Sequence, residues 1–201
     1  VLFRSSILSR IFRKKFVFLT AHDWDCDGTY EKDKPKNAKF YVNGLKHADL
    51  VISQNEYQKK ALLKNHGKES VIIKSMYPIP SLKEKKREFV LWVGRCIRWK
   101  RPEIFLDLAR KNPDVRFRML CAAAKGEDEY YKAFSEDAKK IKNLELIEYV
   151  PFSKVNDEFR KAIIFVNTST VEGFPNTYIQ AMKNKTPILA LNFNPDDVIT
   201  S

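Results

Sequence analysis

The sequence predicts an α/β protein built from two domains, each a doubly wound parallel sheet. Short apolar runs rich in β-branched residues alternate strictly with segments whose apolar residues recur at helical spacing. Such alternation marks parallel sheets joined by crossover helices. The pattern breaks at Tyr77-Pro78-Ile79-Pro80-Ser81 and a run of charges, then restarts crisply at Phe89. Finally, Ile163 to Leu191 reads without interruption as strand, polar loop, helix and strand. The expected domains are 1–80 and 89–201, with 81–88 as the linker.

In the first half, Ser6–Lys15 places Ile7, Leu8, Ile11 and Phe12 at helical spacing, and Phe16–Leu19 reads as a buried strand. The loop His22-Asp23-Trp24-Asp25-Cys26-Asp27-Gly28 follows it. Asn37–Ala48 is a helix with Ala38, Tyr41, Leu45 and Ala48 on one face. Leu50–Ile52 is a strand, Asn55–Asn65 a helix closed near Gly67, and Val71–Ile73 a strand. In the second half, Phe89–Val93 is a strand and Pro102–Lys111 a helix with Ile104, Phe105, Leu108 and Ala109 inward. Val115–Cys121 is a strand, and Glu127–Ile141 a helix with Tyr130, Phe134, Ala138 and Ile141 on one face. Leu144–Ile147 is a strand, and Ser153 caps a short helix. The closing unit runs from Ile163–Val166 through a helix begun by Pro175, whose missing N–H suits a first turn. That helix stops at Thr186-Pro187, and the strand Ile188–Leu191 follows.

With 44% hydrophobic and 31% charged residues, the 201-residue chain has the composition of a soluble globular protein. No apolar run approaches the ~20 residues of a membrane helix. Cys26, Cys96 and Cys121 are odd in number, far apart and without CxxC spacing, so neither a disulfide framework nor a zinc site is indicated. The net charge of +12 admits a nucleic acid, an anionic membrane surface or a phosphate-bearing substrate as partner. Its blocks, Arg10–Lys15 and Lys83–Arg87, read as solvated faces. Val1–Ser5 matches the translated end of a common sequencing adapter and is set aside from the fold argument. With no starting methionine and an end just after an expected strand, the chain is read as a fragment of a longer protein.

Two stretches carry chemistry. Glu172-Gly173-Phe174-Pro175 leads from a strand-end loop into the helix holding Gln180-Ala181-Met182. A helix N-terminus beside an acidic side chain and free backbone N–H groups is a place for an anion. Gly94-Arg95 lies at the end of its strand, with Lys100 five residues after the arginine. There a planar guanidinium and a mobile ammonium can meet phosphate oxygens. Together these stretches resemble retaining glycosyltransferases of the GT-B fold, the family-4 type. That signature is Glu-Gly-Phe-Gly, four residues and Glu-Ala-Met, preceded by Gly-Arg, four residues and Lys. This chain departs from it at Pro175 and at Gln180, which replaces the second acid. Phe16–Pro80 resembles, more loosely, the last third of that family's N-terminal domain.

The resemblance implies two GT-B-like, Rossmann-type domains, both incomplete in this chain. It implies transfer of a sugar from a nucleotide-diphosphate-sugar donor to a glycan or lipid-linked acceptor, with retention and without a bound metal. Arg95 and Lys100 would hold the diphosphate, helped by backbone N–H groups of Phe174, Asn176 and Thr177. Glu172 would contact the transferred sugar, and His22 would face it from the N-terminal domain. Gln180 would bond the ribose, and Val150, in Tyr149-Val150-Pro151, would lie by the base. The nucleotide sugar is a substrate, and no cofactor is expected. Asp23-Trp24-Asp25 has the form of the metal-binding Asp-x-Asp of another glycosyltransferase fold, but nothing around it supplies that fold's pattern.

The alternatives are a nucleotide-sugar epimerase or inactive binding homologue on the same fold and, more distantly, a basic nucleic-acid-binding module. The latter needs basic residues interleaved with aromatics on one face. Here Phe105 and Phe134 are expected to point inward, so no nucleic acid is expected. The basic Ser6–Lys15 helix suits peripheral contact with an anionic membrane, with a cytoplasmic location at its inner face.

Overall fold

The computed structural model describes residues 2–74 and 85–199. The expected break at Tyr77–Ser81, and the first part of the expected 81–88 linker, lie outside the described residues. The chain forms two compact units. One takes Val1–Ser75, Glu172–Phe174 and Pro195–Ser201, and the other Met76–Val171 and Pro175–Asn194.

The first unit begins with α1 (Leu2–Ile11), β1 (Val17–Leu19), α2 (Thr29–Asp33) and α3 (Pro35–Lys46). It continues with β2 (Leu50–Ser53), α4 (Glu56–His66) and β3 (Val71–Ile72). The strands form one parallel sheet in the order β1-β2-β3. Phe18 and Val51 are paired across β1 and β2, so they share a face. There they pack with Cys26, Tyr41, Leu45, Ala48, Ala61 and Leu62. Because side chains alternate along a strand, Val17 and Leu19 fall on the other face, 49% and 54% exposed. The buried strand expected here is thus covered on one side. α1 starts at Leu2, earlier than expected, and Ile7, Leu8, Ile11 and Phe12 are all exposed. α4 is defined at both ends. The Asn55 side chain accepts from the Gln58 N–H at 2.8 Å and Asp196 from the Glu56 N–H at 3.1 Å. Gly67 closes the helix at φ 59°, where a Cβ would be strained.

The second unit holds β4 (Phe89–Cys96), α5 (Pro102–Lys111), β5 (Phe117–Ala123), α6 (Asp128–Ala138) and β6 (Leu144–Ile147). After them come α7 (Phe152–Lys161), β7 (Ala162–Asn167), α8 (Asn176–Lys183) and β8 (Ile188–Ala190). All five strands are parallel, in the order β6-β5-β4-β7-β8. Val90, Trp92 and Cys96 of β4 pack with Phe105, Leu106 and Ala109 of α5 and Phe134 and Ala138 of α6. Burying a side chain such as Phe105 contributes about 1.5–3 kcal/mol. Phe165 of β7 packs between Phe159 of α7 and Tyr178 of α8, with ring centroids 5.3 and 6.4 Å away. Both aromatics offered against a nucleic-acid face, Phe105 and Phe134, are buried.

Expectations change here at a helix start and at a charge block. α7 begins at Phe152, with Pro151 at its cap, so Ser153 lies inside the helix. Arg87, assigned to a solvated block, is a clasp. Its guanidinium donates to the carbonyls of Phe159, Ala162, Asn184 and Lys185 and to the Thr186 hydroxyl, at 2.7–3.3 Å. It ties the ends of α7 and α8 to the start of β7. The three cysteines are free and buried, and no helix among the described residues is long and apolar enough to cross a membrane.

Candidate functional site

In the second unit the order of connection reverses between β4 and β7. The crevice beyond the carboxyl ends of those strands is the topological switch point, where open α/β sheets bind ligands. Trp92, buried in β4, donates from Nε1 to the Thr168 hydroxyl at 3.0 Å. That hydroxyl donates to the Lys100 carbonyl at 2.5 Å, while the Thr170 N–H donates to the Trp99 carbonyl at 2.9 Å. The loops after β4 and β7 are therefore stitched together beside Lys100. A Cβ on Gly94 would lie 2.8 Å from the Trp92 ring and 3.3 Å from Lys100 Cδ. Glycine is needed so that the indole and the lysine stem can lie against the strand.

Arg95 is the last exposed residue of β4, which continues to Cys96 because Arg95 and Cys96 still pair with Ala122 and Ala123 of β5. Lys100 ends a single 3-10 turn, its ammonium 4.6 Å from the centroid of the Trp99 ring. Arg101, next in the chain, has φ 49°, a left-handed conformation that costs a residue with a Cβ about 1–2 kcal/mol. Asn176 and Thr177 open α8 behind Pro175, in the first turn, where helical geometry leaves N–H groups without intrahelical acceptors. Gln180 is buried in the same helix, and Val150 is half-buried just past β6.

The remaining candidates lie in the first unit, in the loop after β1 and in Glu172–Phe174. His22 caps a 3-10 turn at Asp23–Asp25. Its Nδ1 accepts from the Trp24 N–H at 3.2 Å, which places the proton of the neutral ring on Nε2. Asp25 accepts from the Ala21 and His22 N–H groups, so it closes the turn. Asp23 is 6% exposed and accepts from Gln58 Nε2 at 2.9 Å. Asp23 is thus a buried carboxyl and not a surface one. Burial pushes its pKa up to about 6, against the hydrogen bonds from Gln58 and Asn55 and with help from the charges of Asp27 and Glu172.

Gln58 Oε1 accepts from the Thr20 hydroxyl at 2.7 Å and the Gln54 N–H at 2.9 Å. Gln54 Nε2 donates to the Thr20 carbonyl at 2.7 Å, and its Oε1 accepts from the Phe174 N–H at 2.8 Å. Asn55 Nδ2 donates to the Gly173 carbonyl at 3.4 Å. This corrects the expectation for Phe174, whose N–H is already donated to Gln54 rather than open to an anion. Gln54, Gln58, Trp92 and Thr168 were missed from sequence. For Gln58 there was a signal, since it shares a helical stripe with the buried Ala61 and Leu62.

The sequence profile described as "Glycosyl transferases group 1" matches residues 76–199. The chain belongs to that family. No curated protein matches it significantly. Among solved structures, it is similar to Anabaena Alr3699/HepE in complex with UDP and glucose, at 20% identity and a TM-score of 0.77. That match covers 94% of this chain and 56% of HepE. Similarity to a mutant of S. aureus TarM in complex with Fondaparinux, alpha-GlcNAc-glycerol and UDP has 18% identity and a TM-score of 0.74, over 96% of this chain and 41% of TarM. An alpha,alpha-trehalose-phosphate synthase (UDP-forming) from Burkholderia vietnamiensis gives 13% and 0.69, over 94% and 56%. At these identities the likeness is one of fold, the α/β architecture of GT-B Rossmann-like domains. The group 1 chain spans 41–56% of the length of these structures.

Proposed function

We propose that the parent protein transfers a sugar from a nucleotide-diphosphate-sugar donor to a glycan or lipid-linked acceptor, with retention at the anomeric carbon. Family membership supports donor-dependent transfer. The observation that carries the reading is the stitched switch point, where Arg95 stands exposed at the end of β4 and Lys100 follows on a loop anchored through Thr168 and Thr170. Fixed cations in that place neutralise a diphosphate as it leaves, with no reorganisation at the moment of reaction. The first turn of α8, at Asn176 and Thr177, adds N–H groups of the same sign. In this reading Glu172 and His22 meet the transferred sugar, Gln180 the ribose and Val150 the base.

The test is calorimetry on the intact parent with nucleoside diphosphates, paired with NMR of the product's anomeric proton. Arg95→Met and Lys100→Met should each weaken nucleoside diphosphate binding by about 1.5–3 kcal/mol, the range for a hydrogen bond to a charged group. Unchanged affinity in both variants would remove the assignment. An inverted product would remove retention alone.

A further inference from the structure

We propose that Gln54, braced by Gln58, is a positioning residue for Glu172, fixing the backbone of the Glu172-Gly173-Phe174 turn. All these residues belong to the first unit. The side-chain amide of Gln54 makes two bonds of opposite sense, accepting from the Phe174 N–H and donating to the Thr20 carbonyl, at 2.8 and 2.7 Å. Neither a carboxylate nor an aliphatic side chain can make both. Its own backbone is held in turn, because the Gln54 N–H donates to Gln58 Oε1. Gln58 is fully buried and anchored by Thr20 and Asp23.

The turn has no room to slide. A Cβ on Gly173 would lie 2.8 Å from the Ala21 carbonyl oxygen, 2.9 Å from Gln54 Oε1 and 3.1 Å from Gln58 Nε2. Bare glycine is therefore pressed against Gln54, which holds the neighbouring N–H, and against Gln58, which braces Gln54. Asn55 holds the Gly173 carbonyl as well. Glu172 is one residue away, so its carboxylate is directed by a backbone whose polar groups are tied to Gln54 and Asn55. Misplacing a catalytic group by about 1 Å can cost about 10²-fold in rate.

The proposal rests on the reading that Glu172 meets the transferred sugar, and two readouts in the intact parent keep the ideas apart. Hydrogen exchange at the Phe174 amide reports the hold itself. Gln54→Leu, of similar volume, should speed that exchange at least about tenfold, as expected for a freed amide. Gln54→Glu, which keeps the acceptor but cannot donate to Thr20, should fall between it and wild type. Turnover reports the consequence. Gln54→Leu should lower kcat by about 10–100-fold while leaving the nucleoside diphosphate Kd within about threefold, since its effect falls on the sugar. In a Glu172→Gln background the same change should cost less than about threefold more, because coupled residues are not additive. Exchange at Phe174 unchanged in both Gln54 variants, or fully additive losses, would overturn the proposal. Turnover that survives Glu172→Gln would overturn the role of Glu172 and the catalytic consequence drawn here, while exchange still decides whether Gln54 holds the turn.

Discussion

Asp23→Asn should stabilise the protein near neutral pH and change how its stability depends on pH. Asp23 is 6% exposed, and its pKa is pushed up from 3.8 to about 6, chiefly by burial. A carboxyl whose folded pKa lies above its unfolded value holds more protons in the native state. It therefore contributes stability below about pH 4, and that contribution is lost as pH rises to about 6. The shift is roughly two units at about 1.4 kcal/mol each, so the loss is on the order of 3 kcal/mol. The amide introduced by the substitution would keep an oxygen for Gln58 Nε2, now 2.9 Å from the carboxylate, but would carry no charge to bury. Urea unfolding of both proteins at intervals from pH 4 to 8 gives the difference directly. The variant should gain on wild type by about 2–3 kcal/mol between pH 4 and 7, with the change centred in that window. A difference that stays flat from pH 4 to 8 would refute the buried-carboxyl argument.

Gly94→Ala should destabilise the second unit by about 1–3 kcal/mol, the usual range for overpacking. Its Cβ would meet the Trp92 ring at 2.8 Å, and Trp92 is buried and bonded to Thr168, so the ring cannot step aside cheaply; a melting temperature within a degree of wild type would contradict this. Gln180→Glu, in the intact parent, should tighten nucleoside diphosphate binding by on the order of 1 kcal/mol through charge-assisted bonds to ribose hydroxyls, with little change in turnover. Calorimetry that finds weaker binding would remove Gln180 from the ribose site.

Where local chemistry decides, the sequence was legible. α5 runs Pro102–Lys111 and β6 Leu144–Ile147, the bounds read from a first-turn proline and from a run apolar but for Glu145. Elsewhere the same run was used differently. β5 begins at Phe117 instead of Val115, because the Val115 N–H donates back to the Asn112 carbonyl and closes a turn. β4 gains three residues because its partner strand continues beside it, a fact held in the pairing and not in either run. α2 was not foreseen, since Thr29–Asp33 is a single short segment without an apolar stripe.

The candidate site divides along the same line. Arg95 and Lys100 can be singled out as candidates because strand end, glycine and spacing are local signals. The hold on the Glu172 turn was not, because it depends on bonds between residues 118 and 120 positions apart. Hydrophobic periodicity reports which face of α4 is covered, but it treats Gln58 as an interruption of that face. Physically, a fully buried amide must find partners or cost about 1–3 kcal/mol. Gln58 finds three, in Thr20, Asp23 and the Gln54 backbone. A polar residue at an inward helical position is therefore a pointer to a polar loop that must lie across it. In this chain the loop it accounts for bears His22 and Asp23, and Gln54 beside it reaches the turn that bears Glu172.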